Sequence, residues 1–500
     1  MILSMKTSKM IPPMETPGVL KRRALSMVSA ALGILLFASA IVRAESPQGW
    51  PESDANSPIS QAVEKRALEI LATAPVRQAV AQGLKTLEAS DAASKPEALR
   101  YVRSALEETA MFASLNAAMG ASSEPSFIWT YAAPRRWHGY TMPGSRWYAD
   151  NVDTFYRTLR IEEDSAYEIN VRVGKTLPSQ LSFMVYNWLQ HDGTDPRNDV
   201  PLGTLAITEN TPRNPDGTIT LTVGPEPANG RPNHVQLKPG AKQVLAREIR
   251  GDGSLPAVRL AVKRTRGTAK VKSLASLAEE AAGLVASGVK ATVNISVGFG
   301  HLAENQPGEL RVRWIEETGS KDQKLSTDEP LGPDRALGFL TSFLFNLREG
   351  EALVLTLNML DAEYLSINSY RPFILSPEHV YRTSSLNNYQ TKKNPDGSIT
   401  FVFARTDPGV YNWIDSGGIP YGIIAVRWQT LTRPVSGTLK NAMQMIKMVK
   451  IADLRQELPP TTFWVTPEQR AEQRATRAKQ FLLRSLGTPC EAGGELDKPF

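Results

Sequence analysis

Hydrophobic residues recur at helical spacing near both ends of the chain. Over 57–120 apolar side chains return every three to five positions, which places them on one face of a helix, with Pro75 as an expected break. The Met- and Lys-rich segment Leu439–Leu454 and the segment Arg470–Leu486 are also predicted helices, and Thr466–Pro467 is typical of a helix start. The pattern therefore predicts helical layers flanking the rest of the chain.

Between these segments the pattern changes to short apolar runs separated by Gly, Pro, Asn and Asp, as in β-strands joined by turns. The run Asn214–Leu221 (NPDGTITL) recurs 180 positions later as Asn394–Phe401 (NPDGSITF). Pro-Asp-Gly favours a tight turn, since Pro restricts φ, Asp bonds locally and Gly tolerates positive φ. Two such copies predict a mainly β protein with flanking helices (α+β), built on two related antiparallel β-sandwich repeats.

The changes in pattern divide the chain into six predicted segments. They are a signal peptide (1–44), an N-terminal helical layer (45–126), a first β-sandwich repeat (127–265), a basic linker with a helix and connecting strands (266–335), a second β-sandwich repeat (336–435) and C-terminal helices (436–500).

The net charge of +6 sits almost entirely in the leader. The 500 residues carry 57 Lys and Arg against 51 Asp and Glu, but residues 1–44 hold six basic residues and one acidic residue, a net of +5. The remainder therefore carries 51 basic and 50 acidic residues, a net of +1. We interpret the basic run Lys263–Lys272 as a solvated linker, and we expect no nucleic-acid partner.

The leader has the features of an export signal. The basic Lys21–Arg23 precedes the apolar stretch Ala24–Val42, and Val42–Ala44 offers small residues at a cleavage site before Glu45. We expect a periplasmic or secreted protein, with the general secretory and twin-arginine routes both open. An uncleaved anchor is the alternative, and no stable membrane insertion is expected after cleavage.

Cysteine and histidine usage narrows the chemistry. Cys490 is the only cysteine, which excludes an internal disulfide and cysteine-ligated metal sites. The common metalloprotease, serine-hydrolase and nucleotide-binding motifs are absent, and the chain contains only five histidines. We therefore predict no metal and no cofactor.

The densest polar cluster lies late in the second repeat. Its candidate ligand-binding residues are Asp407, Asn412, Trp413, Asp415 and Arg427. Strand alternation places Arg427 opposite Trp428 and, if it is buried, a carboxylate such as Asp407 or Asp415 is expected beside it. The cluster is then either a buried ion pair that holds a loop on a strand, or a polar pocket for an anionic or hydroxylated ligand.

A second candidate cluster follows the aromatic segment 127–156. Asn151, Asp153 and Arg157 lie beside several Trp and Tyr residues, a combination that can stack a sugar or another flat ligand. The alternative is that these aromatic residues fill the junction between the helices and the first sandwich.

The late cluster resembles a bacterial domain of unknown function, number 1214. The resemblance rests on Ser385–Asn387, Asn394–Gly397, the block Asp407–Trp428 and the upstream Asp150–Arg157, where Val152 takes the place of a usual proline. The first repeat departs from the motif, with His234 where Trp413 stands and Glu248 where Trp428 stands. The resemblance implies an exported, jelly-roll-like β-sandwich of uncharacterised activity.

These observations predict an exported protein that binds a small molecule or glycan in a β-sandwich pocket. Whether it is an enzyme stays open: a hydrolase or lyase would use Asp407 or Asp415 as acid/base and Arg427 to hold an anionic transition state. A purely structural envelope or assembly protein is the third alternative.

Overall fold

The structure, a computed structural model, describes residues 49–189, 201–296, 312–314, 324–326, 338–432 and 436–492. The predicted signal peptide, 1–44, and much of the predicted linker 266–335 lie outside these residues.

The predicted N-terminal helical layer consists of α1 (Pro58–Leu71), α2 (Ala74–Glu88) and α3 (Pro96–Ala118), and α4 (Leu274–Ser296) packs on α2 and α3. Each of the first three helices has a proline in its first turn, where a missing N–H costs no helical hydrogen bond. The structure places Pro75 in the first turn of α2, so this proline starts a second helix instead of breaking a single one.

The first sandwich is built from two sheets. The strands up to residue 266 are β1 (Ile128–Thr130), β2 (Arg135–Trp137), β3 (Tyr140–Met142), β4 (Thr154–Arg160), β5 (Ala166–Arg172), β6 (Gln180–Tyr186), β7 (Gly203–Ile207), β8 (Ile219–Gly224), β9 (His234–Gln236), β10 (Gln243–Ile249) and β11 (Arg259–Arg266). One sheet has the order β1-β4-β10-β6-β7 and the other β11-β5-β8-β9. Apolar side chains such as Ile169, Phe183, Leu221 and Val244 fill the space between them.

The second sandwich repeats this arrangement. The later strands are β12 (Val312–Trp314), β13 (Lys324–Ser326), β14 (Phe339–Asn346), β15 (Glu351–Leu357), β16 (Ala362–Tyr370), β17 (Ser385–Asn387), β18 (Ile399–Ala404), β19 (Trp413–Asp415), β20 (Tyr421–Leu431), β21 (Ser436–Thr438), β22 (Met443–Lys450) and β23 (Cys490–Ala492). The two sheets have the orders β12-β14-β20-β16-β17 and β19-β18-β15-β22, while β13 pairs with β21 and β2 lies between β3 and β23. Phe343, Leu355, Phe401 and Val426 belong to the core between the two large sheets.

The two sandwiches correspond strand by strand. β4, β10 and β6 occupy the places of β14, β20 and β16, and each sandwich ends its second sheet with one parallel pair, β8 with β9 and β18 with β19. The turns also match: Asn214 and Asn394 each donate two side-chain hydrogen bonds of 2.9 Å to the hydroxyl groups that follow. Gly217 and Gly397 both adopt positive φ, at 81° and 84°. The fold is mainly β with several antiparallel sheets and flanking helices, as predicted.

The predicted helix over Leu439–Leu454 is wrong for most of its length. Helical structure is confined to α5 (Leu439–Ala442), a 3₁₀ turn over Ile451–Asp453 and the start of α6 (Leu454–Glu457), and β22 pairs with β15, Leu355 lying opposite Ile446. Apolar residues at 443, 446 and 449 also suit helical spacing, which explains the error. The predicted last helix is present as α7 (Pro467–Leu482), capped by Thr466.

The helices cover both sandwiches. The core of the helical layer includes Trp129 of β1, Phe155 of β4 and Ile423 of β20, so it contacts strands from each half. Within the described ranges, no helix combines the length and the apolar character needed to cross a bilayer.

Basic side chains of the run Lys263–Lys272 form ion pairs with glutamate side chains. Lys263 lies 2.7 Å from Glu168, and Lys272 lies 2.6 Å from Glu280. Arg266 also contacts Glu226. This run is therefore not an open basic surface.

Candidate functional site

Arg427 lies on the face of β20 that points away from the core of the second sandwich, because its neighbours Val426 and Trp428 belong to that core. The guanidinium is buried, but no carboxylate of the described segments pairs with it: Nη1 donates to Asn368 Oδ1 at 2.7 Å and Nη2 donates to the Ala149 carbonyl at 2.6 Å. The charge is held by an amide and a backbone oxygen.

The other four residues of the predicted late pocket lie in or beside the second sheet. Asp407 accepts from Arg470 Nε at 2.9 Å, and Asp415 accepts from Arg382 Nη1 at 2.9 Å. Trp413 packs on the outer face of its sheet, with the Arg470 guanidinium 5.1 Å from its ring centre. Asn412 holds the loop by donating to the Thr400 carbonyl at 2.9 Å.

The predicted pairing of Arg427 with Asp407 or Asp415 is therefore wrong, and the five residues do not line one pocket. Stacked sheets lie about 10 Å apart, and Arg427 and Trp413 sit on the outer faces of opposite sheets. Alternation along β20 correctly indicated the face of Arg427, but its partners are Asn368 on the neighbouring strand β16 and the Ala149 carbonyl of the segment before β4. The hydrolase or lyase hypothesis, which required these residues to converge, loses its common site.

Asn151 and Asp153 do lie together, at the start of β4, and they join the two halves of the molecule. The Tyr364 hydroxyl of β16 donates to Asn151 Oδ1 at 3.0 Å and to Asp153 Oδ2 at 2.8 Å. Asn387 of β17 also donates to Asp153 Oδ2, at 2.8 Å. All four residues are buried, so this network is a fixed polar link between the first and second sandwiches.

Arg157, on β4, forms an ion triad with Asp54 and Glu248. Its Nη2 donates to Glu248 Oε2 at 2.8 Å and its Nη1 donates to Asp54 Oδ1 at 3.1 Å. Nη1 also donates to the Val258 carbonyl at 2.7 Å. The triad is buried at one end of the first sandwich, and it satisfies the charge of Arg157 internally.

A cavity of about 170 Å³ opens beside the triad, between the two sandwiches. We call it the junction cavity. It is lined by Gly174, Thr176, Leu177, Pro178, Ser179, Glu248, Arg250, Gly251, Asp252, Leu255, Pro256, Val258, Glu363 and Tyr389. The Tyr389 ring packs against Gly251 on one side of the cavity. The two residues are so close that a Cβ added to Gly251 would lie 2.6 Å from Tyr389 Cε2.

The junction cavity is more acidic than basic. Burial raises the pKa of Glu248, although the Arg157 guanidinium opposes this change. Burial and the charge of Glu209 raise the pKa of the Glu363 carboxyl, and burial lowers the pKa of Arg250. Glu248, paired with Arg157, and Asp252 both act on Arg250, and Glu363 adds a further carboxylate to the lining.

The sequence contains one signal for this cavity: Glu248 stands in the first repeat where Trp428 stands in the second. Arg250, Glu363 and Tyr389 lie in no motif, and loops far apart in sequence bring them together. Among the described residues, no group of three or more His, Cys, Asp or Glu side chains is placed to hold a metal ion.

Comparison with known proteins gives the fold a precedent. An uncharacterised protein from Burkholderia cenocepacia has a similar structure, with a TM-score of 0.58 and 19% sequence identity, over 78% of this chain and 100% of that chain. The VPA0106 protein from Vibrio parahaemolyticus matches over 60% of this chain and 90% of that chain, with a TM-score of 0.33 and 12% identity.

No family model matches the chain, and no curated protein matches it. The resemblance to domain of unknown function 1214 therefore stays a prediction. The similarity to the Burkholderia structure establishes the class of fold, a mainly β protein with flanking helices, and nothing of its chemistry.

Proposed function

We propose that this protein binds a small polar molecule in the junction cavity. The observation that carries the proposal is a cavity of about 170 Å³ whose walls combine apolar side chains with a few charged groups drawn from both sandwiches. At roughly 30 Å³ per water the space equals about six waters, which suits a single sugar ring or a smaller metabolite.

The charges favour a ligand with hydrogen-bond donors. Asp252 and Glu363 offer acceptors, Arg250 offers a donor, and the Tyr389 ring offers an apolar face for stacking. Hydroxyl or amino groups on the ligand complement this lining better than a second carboxylate would.

A ligand-dependent thermal shift tests the proposal directly. Monosaccharides, polyols and amino acids are screened with the mature protein, and a hit is repeated on Glu363→Gln and Tyr389→Ala. Tyr381→Ala is the matched control, because Tyr381 is 46% exposed and Tyr389 is 48% exposed, but Tyr381 does not line the cavity. The proposal predicts that only the two lining variants weaken the shift; a hit that both retain would remove the junction cavity as its site.

We further propose that the two sandwiches arose by internal duplication and that the mature protein acts in the periplasm or outside the cell. The matched strand order and turns support the first statement. The basic, apolar and small-residue order of residues 21–44 supports the second. Mass spectrometry of the secreted or periplasmic fraction, with Glu45 as the expected first residue, tests the export route.

A further inference from the structure

A second, smaller cavity of about 20 Å³ lies where α7 meets the loops of both sandwiches. We call it the arginine pocket. Its lining residues are Val152, Asp153, Arg250, Gly253, His379, Gln390, Arg477, Gln480, Phe481 and Arg484. Three arginines and one carboxylate, that of Asp153, therefore line the same small space.

None of the three arginines forms an ion pair within the described parts of the chain. Arg477 Nη1 donates to the Ser385 carbonyl at 2.9 Å and its other nitrogens reach neutral oxygens. Arg484 donates to the Val152 carbonyl at 2.7 Å. Arg250 donates through Nη2 to the Gly253 carbonyl at 3.1 Å and to the Leu255 carbonyl. The hydrogen bonds of the three arginines go to neutral oxygens, and the nearby carboxylates of Glu248 and Asp252 act on Arg250, and that of Glu378 on Arg477, without forming an ion pair.

Asp153 does not neutralise the pocket. Its Oδ2 already accepts from Tyr364 and Asn387, and it is a single charge against three. Desolvation by burial, with repulsion by Arg250 as a smaller cause, lowers the pKa of Arg484 to about 10, and the charge of Asp153 opposes this change.

Among the described residues, two buried polar atoms of the lining find no hydrogen-bond partner: Arg250 Nη1 and His379 Nδ1. Both residues line the pocket, and His379 is held neutral because burial and the neighbouring arginines keep its pKa well below the usual value. Buried charged donors without partners are rare in folded proteins, and an ion that satisfies them is a standard explanation.

We propose that the arginine pocket binds a small oxyanion, presented either as a free inorganic ion or as the phosphate, sulfate or carboxylate group of an organic ligand. Guanidinium groups match the geometry of these oxygens. A cavity of about 20 Å³ has room for about one water, so it takes one oxygen of an oxyanion while the rest of the ion stays at its mouth. Anion charge compensates the surplus of the three arginines.

Thermal unfolding and calorimetric titration with inorganic phosphate, sulfate and acetate, at ionic strength held constant with chloride, test the proposal. At least one oxyanion is expected to raise the unfolding temperature above the chloride baseline. A response to phosphate or sulfate indicates a free inorganic ion; a response to acetate alone indicates a carboxylate group of a larger ligand. Identical curves in all four salts would overturn the proposal.

The variant Arg484→Gln locates the site, with Lys479→Gln as the matched control. Lys479 is exposed on the same helix and loses the same charge, but does not line the pocket. Arg484→Gln is expected to weaken oxyanion binding by about tenfold, the usual effect of losing a charge-assisted hydrogen bond, and Lys479→Gln to leave it unchanged. Equal weakening by both variants would show general electrostatics and contradict the site.

A second readout separates binding from folding. Without oxyanion at low salt, Arg484→Gln is expected to unfold at or above the wild-type temperature, because it removes one of three like charges. A clear loss of stability instead, with no change in oxyanion affinity, would make Arg484 structural. Arg484 is chosen because Arg250 also lines the junction cavity, so this variant tests the oxyanion site apart from the proposed small-molecule site.

Discussion

The two sandwiches share their strand order but close the same end in different ways. In the second, the Trp428 ring stacks on Phe339 with centroids 5.0 Å apart, and its indole N–H donates to the Asn358 carbonyl at 2.7 Å. In the first sandwich, Glu248 of β10 pairs with Phe155 of β4. In the second, Trp428 of β20 pairs with Phe339 of β14, so Glu248 occupies the position of Trp428. There the Glu248 carboxylate binds Arg157 instead of filling space with an aromatic ring.

This difference explains where the junction cavity lies. An indole fills the end of a sandwich, whereas a carboxylate with its partner leaves room beside it, and Glu248 lines the cavity. At the same strand position, an aromatic side chain therefore closes the end of one sandwich and a paired charge leaves the end of the other open.

The largest effect is expected from Trp428→Glu, which gives the second sandwich the residue of the first without its partner. Thr341 occupies the position of Arg157, so the new carboxylate would be buried with no cation. We expect a loss of several kcal/mol and of cooperative unfolding. Urea denaturation followed by circular dichroism measures it, with Trp428→Phe as the milder control; equal stability of the two variants would contradict the comparison.

The second-largest loss of stability is expected from Arg157→Ala, which leaves Glu248 and Asp54 buried without their cation. Breaking a buried pair from one side costs about 3–5 kcal/mol in the free energy of unfolding. The double variant Arg157→Met with Glu248→Leu is expected to recover part of that loss, because the replaced pair no longer needs desolvation. If the double variant loses as much free energy of unfolding as the two single variants lose together, the triad does not act as a unit.

Because of Asp150, which lies between the sandwiches, we expect the free energy of unfolding to depend on pH. Burial raises its pKa to about 7 against the attraction of Arg146, and its Oδ1 has no hydrogen-bond partner. Between about pH 4 and 7 the unfolded chain releases this proton while the folded chain keeps it, so stability falls as pH rises, by up to about 4 kcal/mol.

The change Asp150→Asn isolates this contribution, since the amide stays neutral at every pH. Relative to wild type, the variant is expected to gain stability from pH 5 to pH 8. Denaturation curves at both pH values give the difference, and parallel changes in the two proteins would show that Asp150 does not titrate in this range.

The smallest effects are expected from the turns. Gly217→Ala and Gly397→Ala each force a Cβ into positive φ, at about 1–2 kcal/mol, and neither Cβ meets a neighbour within 4 Å. The two losses are expected to agree within error, because the turns have the same geometry. A large inequality, measured by denaturation, would show that the two copies differ beyond their closed ends.

The sequence predicted the architecture better than the site. Strand alternation and the repeated Pro-Asp-Gly turn are local signals, and they sufficed for two related sandwiches and for the buried side of Arg427. The partner of Arg427 was missed because Ala149 and Asn368 approach through the packing of separate elements. Asn151, Asp153 and Arg157 were placed in the right segment, but their contacts with Tyr364, Asn387 and Glu248 depend on how the two sandwiches meet.

The arginines of the last helical segment impose an order on biosynthesis. Arg470, Arg477 and Arg484 follow one another at seven-residue intervals, and they reach Asp407, Ser385 and Val152 in turn. The first sandwich is complete once residue 266 has been made, whereas β22 and these arginines are synthesised after the rest of both sandwiches. The proposed oxyanion site, which needs Arg477 and Arg484, would therefore form only after the strands of both sandwiches have been made.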